Sequence, residues 1–273
     1  MSQPNEHASA PGSTANTTAG GTTPGLYDAY YSTERELAWY EICAKDKARN
    51  IVNICGPLKP KRVLDVGAGS GAVLQRYLDA GLGDEVHAVE ISASGLEQLE
   101  RRKSVRFVGG KFFDGIRIPY PDDSFDLVIL SHVLEHVEHP RLLLHEIRRV
   151  ARQVYVEVPL ECSSLKGNLR GDWVMDTTGH INYYNQHILR RQLQTAGWKV
   201  DRLEIPPPSV EPYKFMYGTK GVINWNIKRA VMAISPKLAT GLFAWNCASL
   251  STRAPLPPIS LGLVDAHLIK PTG

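Results

Sequence analysis

Residues 63–71 read Val63-Leu-Asp-Val-Gly-Ala-Gly-Ser-Gly71, a short apolar run closed by three glycines in alternate positions. Gly67, Gly69 and Gly71 follow a predicted strand and open a predicted helix, where glycine permits a tight turn and a close ligand approach. Such a turn could serve a dinucleotide or merely allow tight strand-to-helix packing. The spacing is G-x-G-x-G rather than the G-x-G-x-x-G of a pyrophosphate-binding turn. Asp65 stands two residues before the first glycine, where its carboxylate would repel a phosphate and suit a cationic amino group. Glu90 closes the next predicted strand, nineteen positions after Gly71, where an acidic side chain can accept both hydroxyls of a ribose. The turn therefore points to a ligand with a ribose and an ammonium group, without a phosphate at the turn.

Around this stretch strands and helices alternate. Strands are predicted over 62–66, 85–90, 105–108, 125–130 and 154–158, with helices over 71–80, 93–102 and 140–150. Near-continuous apolar strands separated by amphipathic helices imply an α/β fold, its mostly parallel sheet sandwiched by helices. A helix over 186–196 ends at Gly197 and leads into a strand near 199–205. Pro206-Pro207-Pro208 breaks the pattern. Apolar helical segments are then expected over 222–234 and 236–250, forming a helical insertion of about 207–258, and 260–269 reads as the closing strand. Upstream, 1–24 is a Ser/Thr/Ala/Gly-rich tail with almost nothing to bury, expected to be disordered. Residues 25–58 carry apolar residues at helical spacing and are expected to form an N-terminal helical lid; 59–273 is the main domain.

The chain has 273 residues, 43% hydrophobic and 22% charged, with net charge +3, too mild a bias to imply nucleic acid. Cys43, Cys55, Cys162 and Cys247 show no zinc-like spacing and read as reduced thiols. No apolar stretch is long enough to cross a membrane, and the first residues lack a leader's basic start and apolar centre, so the expected location is cytoplasmic.

Over about residues 60–200 the sequence resembles the class I, Rossmann-like S-adenosylmethionine-dependent methyltransferases, specifically the small-molecule type-11 group that methylates quinones, sugars and natural products. The glycine run carries the resemblance, together with Gly109-Gly-Lys-Phe-Phe-Asp-Gly-Ile-Arg-Ile-Pro-Tyr-Pro-Asp-Asp-Ser-Phe-Asp-Leu-Val-Ile-Leu-Ser-His-Val-Leu-Glu-His-Val-Glu-His-Pro140. It implies a seven-stranded sheet in the order 3-2-1-4-5-7-6 with the last strand antiparallel. It also implies S-adenosyl-L-methionine as cofactor, S-adenosyl-L-homocysteine as product, and a contact from Asp114 to the adenine amine. With Asp65, Gly67, Gly69, Gly71 and Glu90, the implied cofactor set includes Ala68, Ile91, Gly115, Ser131 and His132. Where the family carries Lys-Pro-Gly-Gly before the fifth strand, this chain has Val150-Ala-Arg-Gln-Val154, a shorter connection.

A sulfonium methyl is already activated, so the protein must align the acceptor and, for a hydroxyl, remove a proton. His180, in Gly179-His-Ile-Asn-Tyr-Tyr-Asn185, is the leading general base, with His132 second; the alternative for His180 is a loop histidine bonded to backbone. Asn182, Tyr183 and Tyr184 either line an acceptor pocket or cap the following helix. His132, Glu135 and His136 share a face at helical spacing. They either contact the cofactor and pack the next helix or bind a divalent metal, as in the Glu-x-x-Glu-His motif of some ubiquinone-pathway and small-RNA methyltransferases; here His132 replaces the first glutamate. Glu157 and Glu161 either orient an acceptor or a histidine, or mark a strand end. Lys166, Arg170 and Trp173 form a polar loop, and Tyr27, Tyr30 and Tyr31 either a lid or a core stripe.

The expected acceptor is a hydroxyl of a small or lipid-linked metabolite, with N- and C-methylation open. A nicotinamide-dependent oxidoreductase and a non-catalytic cofactor binder are the alternatives. The insertion around Trp225, Val231 and Leu242 could cap a bulky substrate, form a homodimer or attach to a membrane surface.

Overall fold

A computed structural model of the chain describes residues 34–102, 104–162 and 179–255. Its elements are α1 (Glu34–Cys55), β1 (Arg62–Val66), α2 (Ala72–Asp79), β2 (Glu85–Glu90), α3 (Ala93–Glu100), β3 (Phe107–Phe112), β4 (Phe125–Ser131), α4 (Pro140–Val150), β5 (Ala151–Leu160), α5 (Gln186–Thr195), β6 (Trp198–Glu204), α6 (Glu211–Ile234), α7 (Pro236–Leu242) and β7 (Trp245–Arg253). They build a seven-stranded sheet in the order β3-β2-β1-β4-β5-β7-β6. The pairs from β3 through β5 are parallel, and β7 runs antiparallel to both its neighbours. This is the expected fold class and order.

Alternation along each strand assigns the two faces. Leu64, Val66, Val128, Leu130, Val154 and Val156 pack with Leu144 and Ile147 of α4 and Leu189 and Leu193 of α5. Val63, Val86, Leu127 and Ile129 face the other way, against Ile51 of α1, Leu74 and Tyr77 of α2 and Leu99 of α3. Asp65 shares parity with Val63 and so lies on the α1–α2 side. Local chemistry fixes the helix starts: the side chain of Ser92 accepts from Gly95 N at 3.0 Å to open α3, and Asn185 accepts from Ile188 N at 2.9 Å to open α5.

Two strand expectations are corrected. The third strand lies at Phe107–Phe112, not 105–108, and Val105 is exposed. Gly109 and Gly110 look like breakers, yet Gly110 sits under α3, where a Cβ would come within 3.3 Å of Leu96 Cδ2. Glycine here admits the helix rather than ending the strand. The pairing also skips Val108, from Val86↔Phe107 to His87↔Gly109, as a bulge at the sheet edge.

The second correction concerns the closing strand. The helix expected over 236–250 stops at Leu242, and Trp245–Arg253 is β7; the expected strand 260–269 lies outside the described residues, as does the tail 1–24. The helical segment between β6 and β7 therefore spans 211–242 rather than reaching 258. The reason is composition: Ser249 and Ser251 are fully buried between two strands, and Ser249 donates to Val156 O at 3.3 Å. Small polar residues on a doubly covered strand mask the two-residue period.

Glu157, fully buried in β5, ties α1 to the sheet. Its carboxylate accepts from Asn50 Nδ2 at 3.0 Å and from Tyr155 OH at 2.8 Å. Glu157 is thus a structural anchor. Glu157→Ala leaves two buried donors unpaired and should lower the unfolding free energy by about 2–4 kcal/mol, measured by urea denaturation.

Candidate active site

The glycine turn leaves β1 with Gly67 N donating to Val89 O at 2.9 Å, so the loop folds back over β2. Gly67 has φ +71, and a Cβ there would stand 2.7 Å from Val133 Cγ2. Both the left-handed backbone and the contact with the segment after β4 require glycine. Gly69 N donates to Glu90 Oε2 at 2.8 Å, and Ser92 N donates to Glu90 Oε1 at 3.0 Å. Glu90, buried at the end of β2, thus clamps the turn and the start of α3 together. Arg102 closes the far end, donating to Ser70 O at 2.9 Å and pairing with Glu41 of α1 at 3.3 Å.

Asp65 is buried beneath the turn and accepts from Tyr77 OH at 3.0 Å. Burial pushes its carboxyl up to about 7; the Tyr77 bond opposes this and the nearby Glu90 charge adds to it. Sequence reasoning missed Tyr77; its sole signal is an aromatic hydroxyl on the inward face of α2. Asp114 is exposed, and its Oδ1 accepts from Ile116 N at 2.8 Å and Arg117 N at 2.7 Å. Those backbone bonds hold its carboxyl below the usual carboxylate range. Beside it, Gly115 approaches Ile91, whose Cδ1 lies 3.8 Å from where a Cβ would be. Asp65, Gly67, Ala68, Gly69, Gly71 and Glu90 therefore form one cradle, with Ile91, Asp114 and Gly115 along its β2–β3 flank.

A second group gathers where β4 and β5 end. His132 follows β4 with φ +58, a strained conformation for a non-glycine residue, and its N donates to Glu157 O at 2.8 Å. A single 3₁₀ turn, Leu134–His136, then carries Glu135 and His136. Residues 179–182 are stitched onto it: Ile181 N and Asn182 N donate to Glu135 O at 2.8 and 3.0 Å, and Asn182 Nδ2 donates to Leu134 O and Val137 O. This sets the His180 ring against that of His136, centroids 4.8 Å apart. His180 Nδ1 lies 2.9 Å from Glu161 Oε2, so of the alternatives for Glu161 the structure bears out a partner that orients a histidine. Tyr184 is buried in the core, and Asn185, rather than Asn182 or Tyr183, caps α5.

Several polar atoms here are buried without a hydrogen-bond partner among the described residues: Ser131 Oγ, His132 Nε2 and both carboxylate oxygens of Glu135. His132 Nδ1 comes within 3.1 Å of Glu135 Oε1, but without the alignment of a hydrogen bond. Burial raises the Glu135 carboxyl, and the neighbouring His132 and His136 outweigh it, holding the acid below its usual range. Burial also lowers His136. Among the described residues, the grouping that could hold a cation is Glu135, His136 and His180, their ligand atoms within 4.8 Å of one another. The trio expected from sequence had His132 in place of His180. Lys166, Arg170, Trp173, Tyr27, Tyr30 and Tyr31 lie outside the described residues.

The glycine cradle, the two buried carboxylates at its floor and the orphaned polar atoms after β4 fit a ligand that supplies an ammonium and hydroxyl groups. Fold and site together define a class I, S-adenosylmethionine-dependent methyltransferase. The chain belongs to the methyltransferase domain family, whose model matches residues 40–203. It is 37% identical over 105 residues to a demethylmenaquinone methyltransferase of Renibacterium salmoninarum, covering 38% of this chain and 42% of that protein. It is 40% identical over 147 residues to a malonyl-[acyl-carrier protein] O-methyltransferase of Halorhodospira halophila, covering 51% and 48%. The chain thus spans less than half the length of these curated relatives. A solved phosphoethanolamine N-methyltransferase 2 of Haemonchus contortus, in complex with S-adenosyl-L-methionine, shares the fold with TM-score 0.64 at 17% identity, covering 87% of this chain and 61% of that one.

An acid whose native value lies above its unfolded one binds protons that the unfolded chain releases, so Asp65 costs stability as pH rises from about 4 to about 7. Asp65→Asn keeps an acceptor for Tyr77 and removes that cost. The ligand-free variant should be more stable than wild type around pH 8, by on the order of 2–4 kcal/mol, with a flatter pH dependence of the unfolding midpoint.

Proposed function

We propose that this chain transfers the methyl group of S-adenosylmethionine to a hydroxyl of a small or lipid-linked metabolite such as a sugar, quinone or natural product. The observation that carries this reading is the His180–Glu161 pair held at the β4–β5 rim. A carboxylate only accepts, so His180 Nδ1 bears the hydrogen and Nε2 the lone pair, the tautomer a general base needs. Two curated relatives whose names specify a quinone and a carrier-bound acyl acceptor support a small-molecule acceptor.

The cofactor supplies an activated methyl on a sulfonium; the residues of this chain do the rest. Asp65 meets the ammonium of the amino-acid part, which returns its raised carboxyl to the charged form. Glu90 keeps lone pairs beyond its two backbone bonds for the ribose hydroxyls. Gly67 and Gly69 let the turn approach closely, with Ala68 and Gly71 in the same loop. Ile91, Asp114 and Gly115 flank the adenine, and Ser131 and His132 complete the cofactor side with their unpartnered atoms. His180 takes the acceptor's proton while Glu161 steadies the imidazolium.

His180→Gln should lower kcat about 10²–10⁴-fold while leaving S-adenosylhomocysteine affinity unchanged by calorimetry, whereas Asp65→Asn should weaken that affinity. An unaltered kcat in His180→Gln removes the base assignment.

A second reading has one observation in its favour, the two orphaned oxygens of Glu135. A divalent cation on Glu135, His136 and His180 would satisfy them. The Gly179 carbonyl and the Glu161 carboxylate would then steady the two imidazoles through Nδ1, as outer partners of metal-bound histidines do. In that case His180 holds metal and is not the base. On this reading chelation abolishes turnover and added Zn²⁺ or Mn²⁺ restores it; activity indifferent to chelator leaves the base mechanism.

A further inference from the structure

α6 is inside out. On the side facing the protein it places Gly221 and Lys228, both buried. The lysine is satisfied there: Nζ donates to Tyr213 OH at 2.6 Å and Ala244 O at 2.8 Å and lies 5.1 Å from the centroid of the Trp245 ring. On the solvent side stand Ile223, Ile227 and Ile234, exposed by 56%, 50% and 83%, with Ala230 between them. Positions 223, 227, 230 and 234 form one stripe of a 3.6-residue period. α7 adds a further exposed apolar pair, Leu238 and Leu242, exposed by 51% and 36%.

Charge decides what this apolar stripe faces. Residues 212–255 contain no aspartate or glutamate. Lys214, Lys220, Arg229 and Lys237 are exposed on the same two helices, and none forms an ion pair among the described residues. A protein partner that buried the isoleucines would need acids for these bases, and a second copy of the same face would oppose base to base. An anionic lipid surface satisfies both demands at once: the acyl boundary takes the isoleucines while the headgroups take the cations. No described helix is long and apolar enough to cross a membrane. A helix pair with a bare apolar stripe and a cationic flank lies in the interface instead.

We infer that α6 and α7 dock this protein on the surface of an anionic bilayer, with Ile223, Ile227, Ile234 and Leu238 in the acyl boundary. The placement has a consequence for the active site. α7 ends at Leu242, and β7 begins at Trp245, paired with Leu160, the residue before Glu161. The docking face therefore adjoins the rim where Glu161 holds His180. On the methyl-transfer reading above, this favours an acceptor carried by lipid over one free in solution.

The test is co-sedimentation of the full chain with vesicles of phosphatidylcholine alone or mixed with phosphatidylglycerol. Each basic residue near an anionic leaflet should raise partitioning about fivefold, so binding should be strong on mixed vesicles, weak on neutral ones and reduced by salt. Ile227→Asp/Ile234→Asp should lower partitioning at least about tenfold. Its S-adenosylhomocysteine affinity should match wild type, which shows the fold intact and keeps this outcome separate from the methyltransferase reading. Wild-type partitioning by the double variant, or no preference for anionic vesicles, overturns the proposal. So does a dimer in solution that the same substitutions dissociate while vesicles bind nothing.

Discussion

Two carboxylates, Asp65 and Glu90, sit side by side in the interior where β1 and β2 end, and the glycine turn is folded around them. Glu90 is held by two backbone N–H groups, one from the turn and one from the start of α3. Asp65 has, among the described residues, the Tyr77 phenol. Burial, with the nearby Glu90 charge adding to it, raises the Asp65 carboxyl to about 7, so the ligand-free protein holds it only partly charged near neutrality. A cationic ligand acts differently, by neutralising the pair. The region is thus stable enough to fold and unsatisfied enough to bind.

The same economy governs the acceptor rim. The segment after β4 leaves the sheet through a left-handed histidine and a single 3₁₀ turn, and its exposed peptide groups are taken up by residues 179–182. Backbone stitching, with the Asn182 side-chain amide on two carbonyls, brings His180 to His136. Residues about forty positions apart become one cluster because Glu135 O accepts two N–H groups from the later loop.

Legibility in the sequence followed the range of the interaction. The glycine run, Asp65 and Glu90 lie within one strand–helix–strand unit, and their relation was readable from spacing. The sheet order came with the family resemblance and holds in the structure. Tyr77 was not legible, because a helix's inward aromatic looks like any core residue until its hydroxyl has a partner. Glu161 was legible only as an orienting group for an acceptor or a histidine, or as a strand end, since the His180 loop returns from a distant part of the chain. β3 and β7 were misplaced for one reason: Gly110 and the buried serines of β7 serve neighbours that sequence periodicity does not register. Glu157 read as either an orienting group or an exposed strand end, and its burial was not legible because the α1 residue that covers it, Asn50, lies about a hundred positions upstream.

The order β5-β7-β6 sets a schedule for assembly. β6 precedes β7 in the chain yet, among the described strands, pairs only with it. While the chain is being made, β5 must wait with an open edge through α5, β6, α6 and α7, and β6 waits with nothing to pair. Open edges of that kind recruit foreign strands. The arrival of residues 245–253 closes both at once, by inserting one strand between two that are already formed. Completion of the sheet is therefore a late, long-range event, and a ribosome paused before residue 245 would hold the protein with these edges still open.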